Sequence, residues 1–270
     1  MRDYKAIFNS VESTLLEIGS RNVSRSQILA ELEPWKHLEG KQFTDVECYR
    51  KLVHIAFYSG FRAQTVSDKI PTIDQHFPNY TVVSGYGPAQ VQDILNDPKM
   101  IANRLKVKAC VENAKRFSTI VRKHHSFQAF LNSLVKADSD QNIIELRDEF
   151  RRLFKFLGPR TAFHFMMDVG IPVLKPDRVL ERIFKRIGLV PQHLAEGDAL
   201  YVALIQEGRK FAQATGYSIR YIDIVFVCYG QVQAKEVGIE RGICLSTEEG
   251  GPSCSICGIR QYCDHYARSN

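Results

Sequence analysis

Four of the seven cysteines fall in the last 27 residues, at Cys244, Cys254, Cys257 and Cys263, spaced C-x9-C-x2-C-x5-C. The N-terminus carries Arg2, Asp3, Lys5 and Glu12, so it lacks an apolar signal core. An intracellular, cytoplasmic location is expected, where crowded cysteines mean metal rather than disulfides. Four thiolates in a short, loop-rich tail can hold either tetrahedral zinc or an iron–sulfur cluster. A zinc ribbon brings two C-x2-C pairs, and only one is present, so the spacing favours [4Fe–4S]. Cys48, Cys110 and Cys228 lie in apolar helical contexts and read as buried small hydrophobes.

A second constellation lies upstream, in Phe154-Lys155-Phe156-Leu157-Gly158-Pro159-Arg160-Thr161-Ala162, with Asp177 seventeen residues after Arg160. One helical pattern runs into Gly158-Pro159 and another leaves from Arg160, which makes a hairpin of two helices. Its turn offers the N–H groups of Arg160, Thr161 and Ala162 at a helix N-terminus, a setting that suits an anion such as a phosphate. Gly158 is expected to let the backbone come close to that phosphate. Asp177 sits in Lys175-Pro176-Asp177-Arg178 and reads either as a chemical acid or as a helix N-cap. The two roles can coexist.

The elements that position these groups are helical. Apolar residues at Ile7, Val11, Leu15 and Ile18 mark a first helix, and Thr44-Asp45-Val46-Glu47 is a capping-box-like start for another. Longer helices are expected over 101–121, 141–157, 179–187 and 196–215. Ser218–Tyr229 is rich in Ile, Val and Phe and is ambiguous locally; in a chain otherwise helical it is assigned to helix. The expected fold is all-α in two lobes, residues 44–172 with the hairpin and 1–43 plus 173–270 with the cysteine loop, Asp177 lying near their junction. No apolar run approaches the ~18 residues of a membrane span, so no membrane partner is expected.

The net charge of +6 is mild, but Lys99–Lys123 holds eight Lys or Arg and one acid, Glu112. Arg147, Arg151, Arg152 and Lys155 surround the hairpin, and Arg178, Arg182, Lys185 and Arg186 follow Asp177. Basic surfaces suit polyanions, although each run also reads as a solvated helix face.

The hairpin, the following Asp and the C-terminal cysteines together resemble the helix-hairpin-helix DNA glycosylase superfamily, in its endonuclease III branch. The segment from Pro176 to Ile183 resembles that branch's acid followed by a helix with Arg five residues on. Leu245–Ser253 is an enlarged first cluster gap. Phe154–Gly158, Phe165-Met166, Gly170 and Asn103-Arg104-Leu105-Lys106-Val107-Lys108-Ala109 with Asn113-Ala114 are similar to bacterial 3-methyladenine DNA glycosylase I. The resemblance implies a monomer that acts on double-stranded DNA in the nucleoid, and a [4Fe–4S] cluster held by the four cysteines. It implies that Gly158, Arg160 and Thr161 grip the backbone and that Gln64, with Arg62 as a neighbouring alternative, fills the space left by a flipped base. Asp177 then faces the sugar. Trp35, His54, Tyr58 and His164 are the candidates for the base pocket.

Two positions narrow the expectation. Bifunctional members of the endonuclease III branch carry a Lys where Arg160 stands, and Arg stays protonated and is a poor nucleophile. A monofunctional DNA glycosylase is therefore expected, with Lys155 and Lys175 as alternatives for a displaced lyase nucleophile. The position matching the pocket Glu of the methyladenine enzymes is Ile55, so the substrate is either an alkylated base or an enlarged modified one such as occurs in viral DNA. A non-catalytic protein that binds DNA lesions, and a zinc-stabilised helical adaptor, are the other readings of the same residues.

Overall fold

The computed structural model describes residues 2–38, 41–61, 63–134 and 140–269. Fifteen α-helices and four short 3-10 helices occur among them, and no strand; the nearest to one is an isolated bridge between Ala234 and Ile239. In chain order the helices are α1 (Tyr4–Gly19), α2 (Arg25–Leu32), α3 (Asp45–Tyr58), α4 (Ala63–Ser67), α5 (Ile70–His76), α6 (Tyr80–Val83), α7 (Pro88–Asn96) and α8 (Arg104–His124). They continue as α9 (Phe127–Leu134), α10 (Asp140–Leu153), α11 (Pro159–Asp168), α12 (Arg178–Arg186), α13 (Asp198–Thr215), α14 (Ile219–Gly230) and α15 (Asp264–Ser269). No helix is long and apolar enough to cross a membrane.

The chain divides into two compact units, Met1–Lys41 with Ile171–Asn270, and Gln42–Gly170. In the first unit α1, α12, α13 and α14 pack on one another. Phe8, Phe184, Phe211 and Phe226 fill the space between them, with edge-to-face pairs such as Phe211 and Phe226 at 5.0 Å. All four rings are fully buried, worth about 1.5–3 kcal/mol each. This burial settles the ambiguous stretch: α14 is helical because its apolar residues are needed on three sides, against α1, α12 and α13.

In the second unit α8 is the central rod, with α3, α6, α7 and α9 against it. Phe117 of α8 stacks on Phe127 at 4.4 Å, and Phe127 meets Phe154 and Phe165 on the two sides of the hairpin. Thr44 caps α3 as expected: its Oγ accepts from the Glu47 amide (3.2 Å) and the Glu47 carboxylate accepts from the Thr44 amide (2.8 Å). The helix expected over 141–157 stops earlier, at Leu153. Phe154–Gly158 form the turn, and Phe156 takes a positive φ of 62°, which no residue in a continuing helix adopts.

Candidate active site

In the first unit the site begins with the seat of Leu174. A Cβ on Gly208 of α13 would lie 2.2 Å from the Leu174 side chain, so only glycine allows that buried leucine to pack there. The backbone then turns through Lys175-Pro176, with the Asp177 amide donating to the Lys175 carbonyl at 2.7 Å. Asp177 is the N-cap of α12, and its Oδ1 accepts from the Val179 and Leu180 amides at 2.9 and 3.0 Å. The capping role is thus real, and it occupies one carboxylate oxygen; Oδ2 takes no hydrogen bond among the described residues.

Behind the Lys175 peptide stands a residue that the sequence analysis did not single out. Asp223 of α14 is 2% exposed, accepts from the Lys175 amide (3.3 Å), and is paired with Arg220 one turn earlier (Nη1 to Oδ2, 2.6 Å). Burial pushes the Asp223 carboxyl up to about 6, opposed by the Arg220 charge and reinforced by that of Asp177. Arg220 in turn lies over the Trp35 ring, 4.7 Å from its centre. Trp35 is delivered there by Ser218, the N-cap of α14, which donates its hydroxyl to the Trp35 carbonyl and its amide to the Lys36 carbonyl. One candidate pocket residue, Trp35, and the candidate acid, Asp177, are therefore joined through Arg220, Asp223 and Lys175. The sequence signal that could have found Asp223 is a lone acid inside an otherwise apolar helix.

In the second unit the hairpin turn is held by α8. Asn113, 1% exposed, brackets the backbone of one residue: its Oδ1 accepts from the Lys155 amide (2.8 Å) and its Nδ2 donates to the Lys155 carbonyl (3.1 Å). Arg116 donates to the Leu153 carbonyl. Lys106 is only 3% exposed; its ammonium bonds the Ala56 and Ser59 carbonyls at the end of α3 and lies 4.6 Å from the Phe156 ring centre. Burial lowers the Lys106 pKa. Lys106 is thus a buried strut, and not part of a solvated basic face. Exposed positions Lys108, Lys115 and Arg122 keep the outer side of α8 basic.

The turn itself corrects one expectation. Gly158 has an ordinary φ of −76°, and a Cβ there would meet nothing closer than 3.6 Å. The conformation that favours glycine falls instead on Phe156. The Ala162 amide is taken by the Gly158 carbonyl at 2.9 Å, which narrows the anion-gripping amides to Arg160 and Thr161, in the first turn after Pro159. Thr161 steadies that turn by accepting from the Gly158 amide at 2.6 Å. The basic rim is also thinner than the sequence suggests. Arg147 is buried against Asp148 and Phe163, Arg151 pairs with Asp148, and Arg152 pairs with Glu149. Lys155 remains exposed.

The other pocket candidates of this unit each have a partner. His54 bonds Asp74 at 2.6 Å, with Arg50 3.8 Å from the same carboxylate. The Tyr58 hydroxyl meets the Ser67 hydroxyl at 3.0 Å, and His164 lies 3.4 Å from Asp168. None of the three is bonded to another. Ile55, 1% exposed, is part of the core. Gln64 falls in α4 and not in a loop; its side chain, and Arg62 altogether, lie outside the described residues.

The cysteine loop is tied to α12, the helix that Asp177 caps. Arg182 donates to the Cys244 carbonyl (2.8 Å) and pairs with Glu249 (3.1 Å), while Arg186 reaches the Cys244 sulfur (3.2 Å) and the Leu245 carbonyl (2.8 Å). The Tyr229 hydroxyl donates to the Cys257 sulfur at 3.2 Å. All seven thiols are free. Burial raises the Cys244 and Cys257 pKa values; Cys254 and Cys263 reinforce the rise at Cys257, and Cys257 that at Cys244. No group of three or more His, Cys, Asp or Glu among the described residues is placed to hold a single metal ion.

Residues 40–173 match the model of the methyladenine glycosylase family. Among solved structures, a trapped endonuclease III–DNA covalent intermediate is similar over 90% of this chain and 94% of its own, at 12% identity and a TM-score of 0.52. The 8-oxoguanine DNA glycosylase of Thermotoga maritima covers 82% of this chain and 96% of its own, at 20% identity and a TM-score of 0.50. The 3-methyladenine DNA glycosylase I of Staphylococcus aureus covers 53% and 85%, at 21% identity and a TM-score of 0.44. That family match spans just under half of the chain, and the solved structures show that its fold is the one shared by endonuclease III and the 8-oxoguanine DNA glycosylase.

Proposed function

We propose that the protein is a monofunctional glycosylase that acts as a monomer on double-stranded DNA in the nucleoid, flips a modified base and hydrolyses its N-glycosidic bond. The observation that carries the reading is Asp177. Its Oδ1 serves the α12 N-terminus, while Oδ2 remains for the sugar, so capping and catalysis do not compete for one oxygen. A base inside the duplex shields its sugar carbon and must leave the stack first. Amides of Arg160 and Thr161 would hold a backbone phosphate and fix register without reading sequence, and Gln64 or Arg62 would fill the gap. Trp35, His54, Tyr58 and His164 are the pocket candidates.

As the C1′–N bond breaks, its electron pair leaves on the base and the sugar becomes positive. The Asp177 carboxylate stabilises that charge, or takes the proton of the water that adds to C1′. Arg160 supports hydrolysis without a covalent intermediate, since a guanidinium forms no Schiff base. Buried Ile55 supports a substrate read without a carboxylate at that point, either an alkylated base or an enlarged modified one. Asp177→Asn should abolish base release while DNA binding persists, and borohydride should trap no adduct. Unchanged release in the variant, or a trapped adduct, would overturn the corresponding part of the reading. Mass spectrometry of bases freed from alkylated, oxidised, deaminated and virus-modified DNA identifies the substrate.

For the cysteine loop, the donors fit a [4Fe–4S] cluster held by Cys244, Cys254, Cys257 and Cys263 better than zinc. Only one C-x2-C pair is present among them, where a zinc ribbon brings two. Arg186 and Tyr229 would supply the hydrogen bonds that thiolate sulfurs need. When bound, the cluster would supply a rigid staple and charge, and Arg182 and Arg186 would pass that rigidity to α12.

A further inference from the structure

Asp223 is buried beyond what packing alone requires. A carboxylate in the apolar core costs several kcal/mol unless it is paired and hydrogen-bonded, and this one has both an Arg220 pair and the Lys175 amide. Its partners connect in two directions. Lys175 precedes Asp177 by two residues, within a turn closed by the Asp177 amide on the Lys175 carbonyl. Arg220 covers Trp35.

We propose that Asp223 is a positioning residue for the glycosylase reaction: through the Lys175 amide and the Arg220 guanidinium it holds the Asp177 turn in its working position and places a second negative charge beside it. The inference rests on the reading of Asp177 as the acid at the sugar. With Asp223 ionised, the Arg220 charge is matched and Asp177 acts unopposed on a positive sugar. With Asp223 protonated, the guanidinium loses its counter-ion and opposes that sugar. The charged groups that face Asp223 are Arg220 on its own helix and Lys175 and Asp177 on the approach to α12. Cys228, farther along α14, has its thiol held protonated by burial. From the neighbouring elements, Glu12 of α1 is bonded to the Tyr221 hydroxyl, the charge of Glu31 on α2 is felt at Cys228, and Arg209 of α13 is on the Pro172 carbonyl. Burial raises the Asp223 carboxyl to about 6, so its charge changes inside an accessible pH range.

The test needs no knowledge of the base. Two duplexes carry abasic analogues, one a cationic pyrrolidine that mimics the positive sugar, the other a neutral tetrahydrofuran. The ratio of their affinities reads the negative potential at the sugar. For the wild type, preference for the cation should grow about tenfold from pH 5 to pH 7.5, the scale of one partly screened charge. Asp223→Asn should flatten that dependence, and Arg220→Met should move its midpoint upward because the charge that favours the carboxylate is gone. Trp35, the sole tryptophan, gives an activity-free readout: its fluorescence should titrate with a midpoint near pH 6 in the wild type and not in Asp223→Asn. Wild-type slopes and midpoints in both variants would overturn the proposal. Asp177→Asn should remove most of the cation preference at pH 5, where Asp223 is protonated; if the full preference survives there, it is the reading of Asp177 that fails.

Discussion

Removing Asn113 tests whether α8 presents the hairpin or merely packs beneath it. Asn113→Ala strips the Lys155 peptide of an acceptor at 2.8 Å and a donor at 3.1 Å. Each orphaned group costs about 1–3 kcal/mol, nearer the lower figure where water can reach. Both bonds are part-buried beside an exposed Lys155, so the expected loss is about 2–3 kcal/mol. The same peptide precedes Phe156, which holds φ at 62°, a conformation that survives only where its surroundings impose it. Releasing Lys155 should let the turn relax and move the Arg160 and Thr161 amides away from their phosphate-binding arrangement. Urea unfolding by circular dichroism would give the stability change, and fluorescence anisotropy on a tetrahydrofuran duplex the affinity change, corrected for the folded fraction. We expect about a tenfold weaker complex, equivalent to ~1.4 kcal/mol. A stability loss below about 0.5 kcal/mol would show that Asn113 is not a clamp. A full stability loss with unchanged affinity would show that the clamp does not present the hairpin.

Two further perturbations probe the first unit. A Cβ on Gly258 would sit 2.7 Å from the Ser10 carbonyl oxygen and 2.0 Å from the Thr14 hydroxyl of α1, so Gly258→Ala should push the Cys257 segment off that helix. Iron content and absorbance near 400 nm of the purified protein should fall to a minor fraction of the wild type; full retention would count against the proposed cluster site. Asp223 also leaves a mark on stability. Its folded-state pKa, about 6, lies above the ordinary 3.8, so the folded protein binds the proton more tightly than the unfolded chain does. The resulting stabilisation is fully present below about pH 3.8 and is lost as pH rises to about 6, a span worth roughly 3 kcal/mol. Measured as the difference between wild type and Asp223→Asn, to cancel all other titrations, the wild type should lose ground between pH 4 and pH 7; a difference independent of pH would refute it.

The sequence by itself determined what depends on local pattern. Helical periodicity, the Thr44 capping box and the apolar runs are short-range properties, which is why the all-α fold was legible. So was the hairpin-then-acid order, because Gly158-Pro159 is a local start signal for the second helix of the hairpin. Where the expectations failed, a distant residue had intervened. The helix entering the hairpin was expected to reach 157, but Asn113 and Arg116 take the backbone groups of Leu153 and Lys155 from another helix and end it early. Lys106 reads as one more basic residue in a charged run until its ammonium is seen on the α3 carbonyls. Asp223 and Arg220 read as interruptions of an apolar helix, because the groups that justify their burial, Lys175 and Trp35, are 48 and 185 positions away. The sequence could name a candidate acid at Asp177 because a cap is a local event. Only the tertiary structure could give that acid its surroundings, since the field at a carboxylate is the sum of charges brought near by packing.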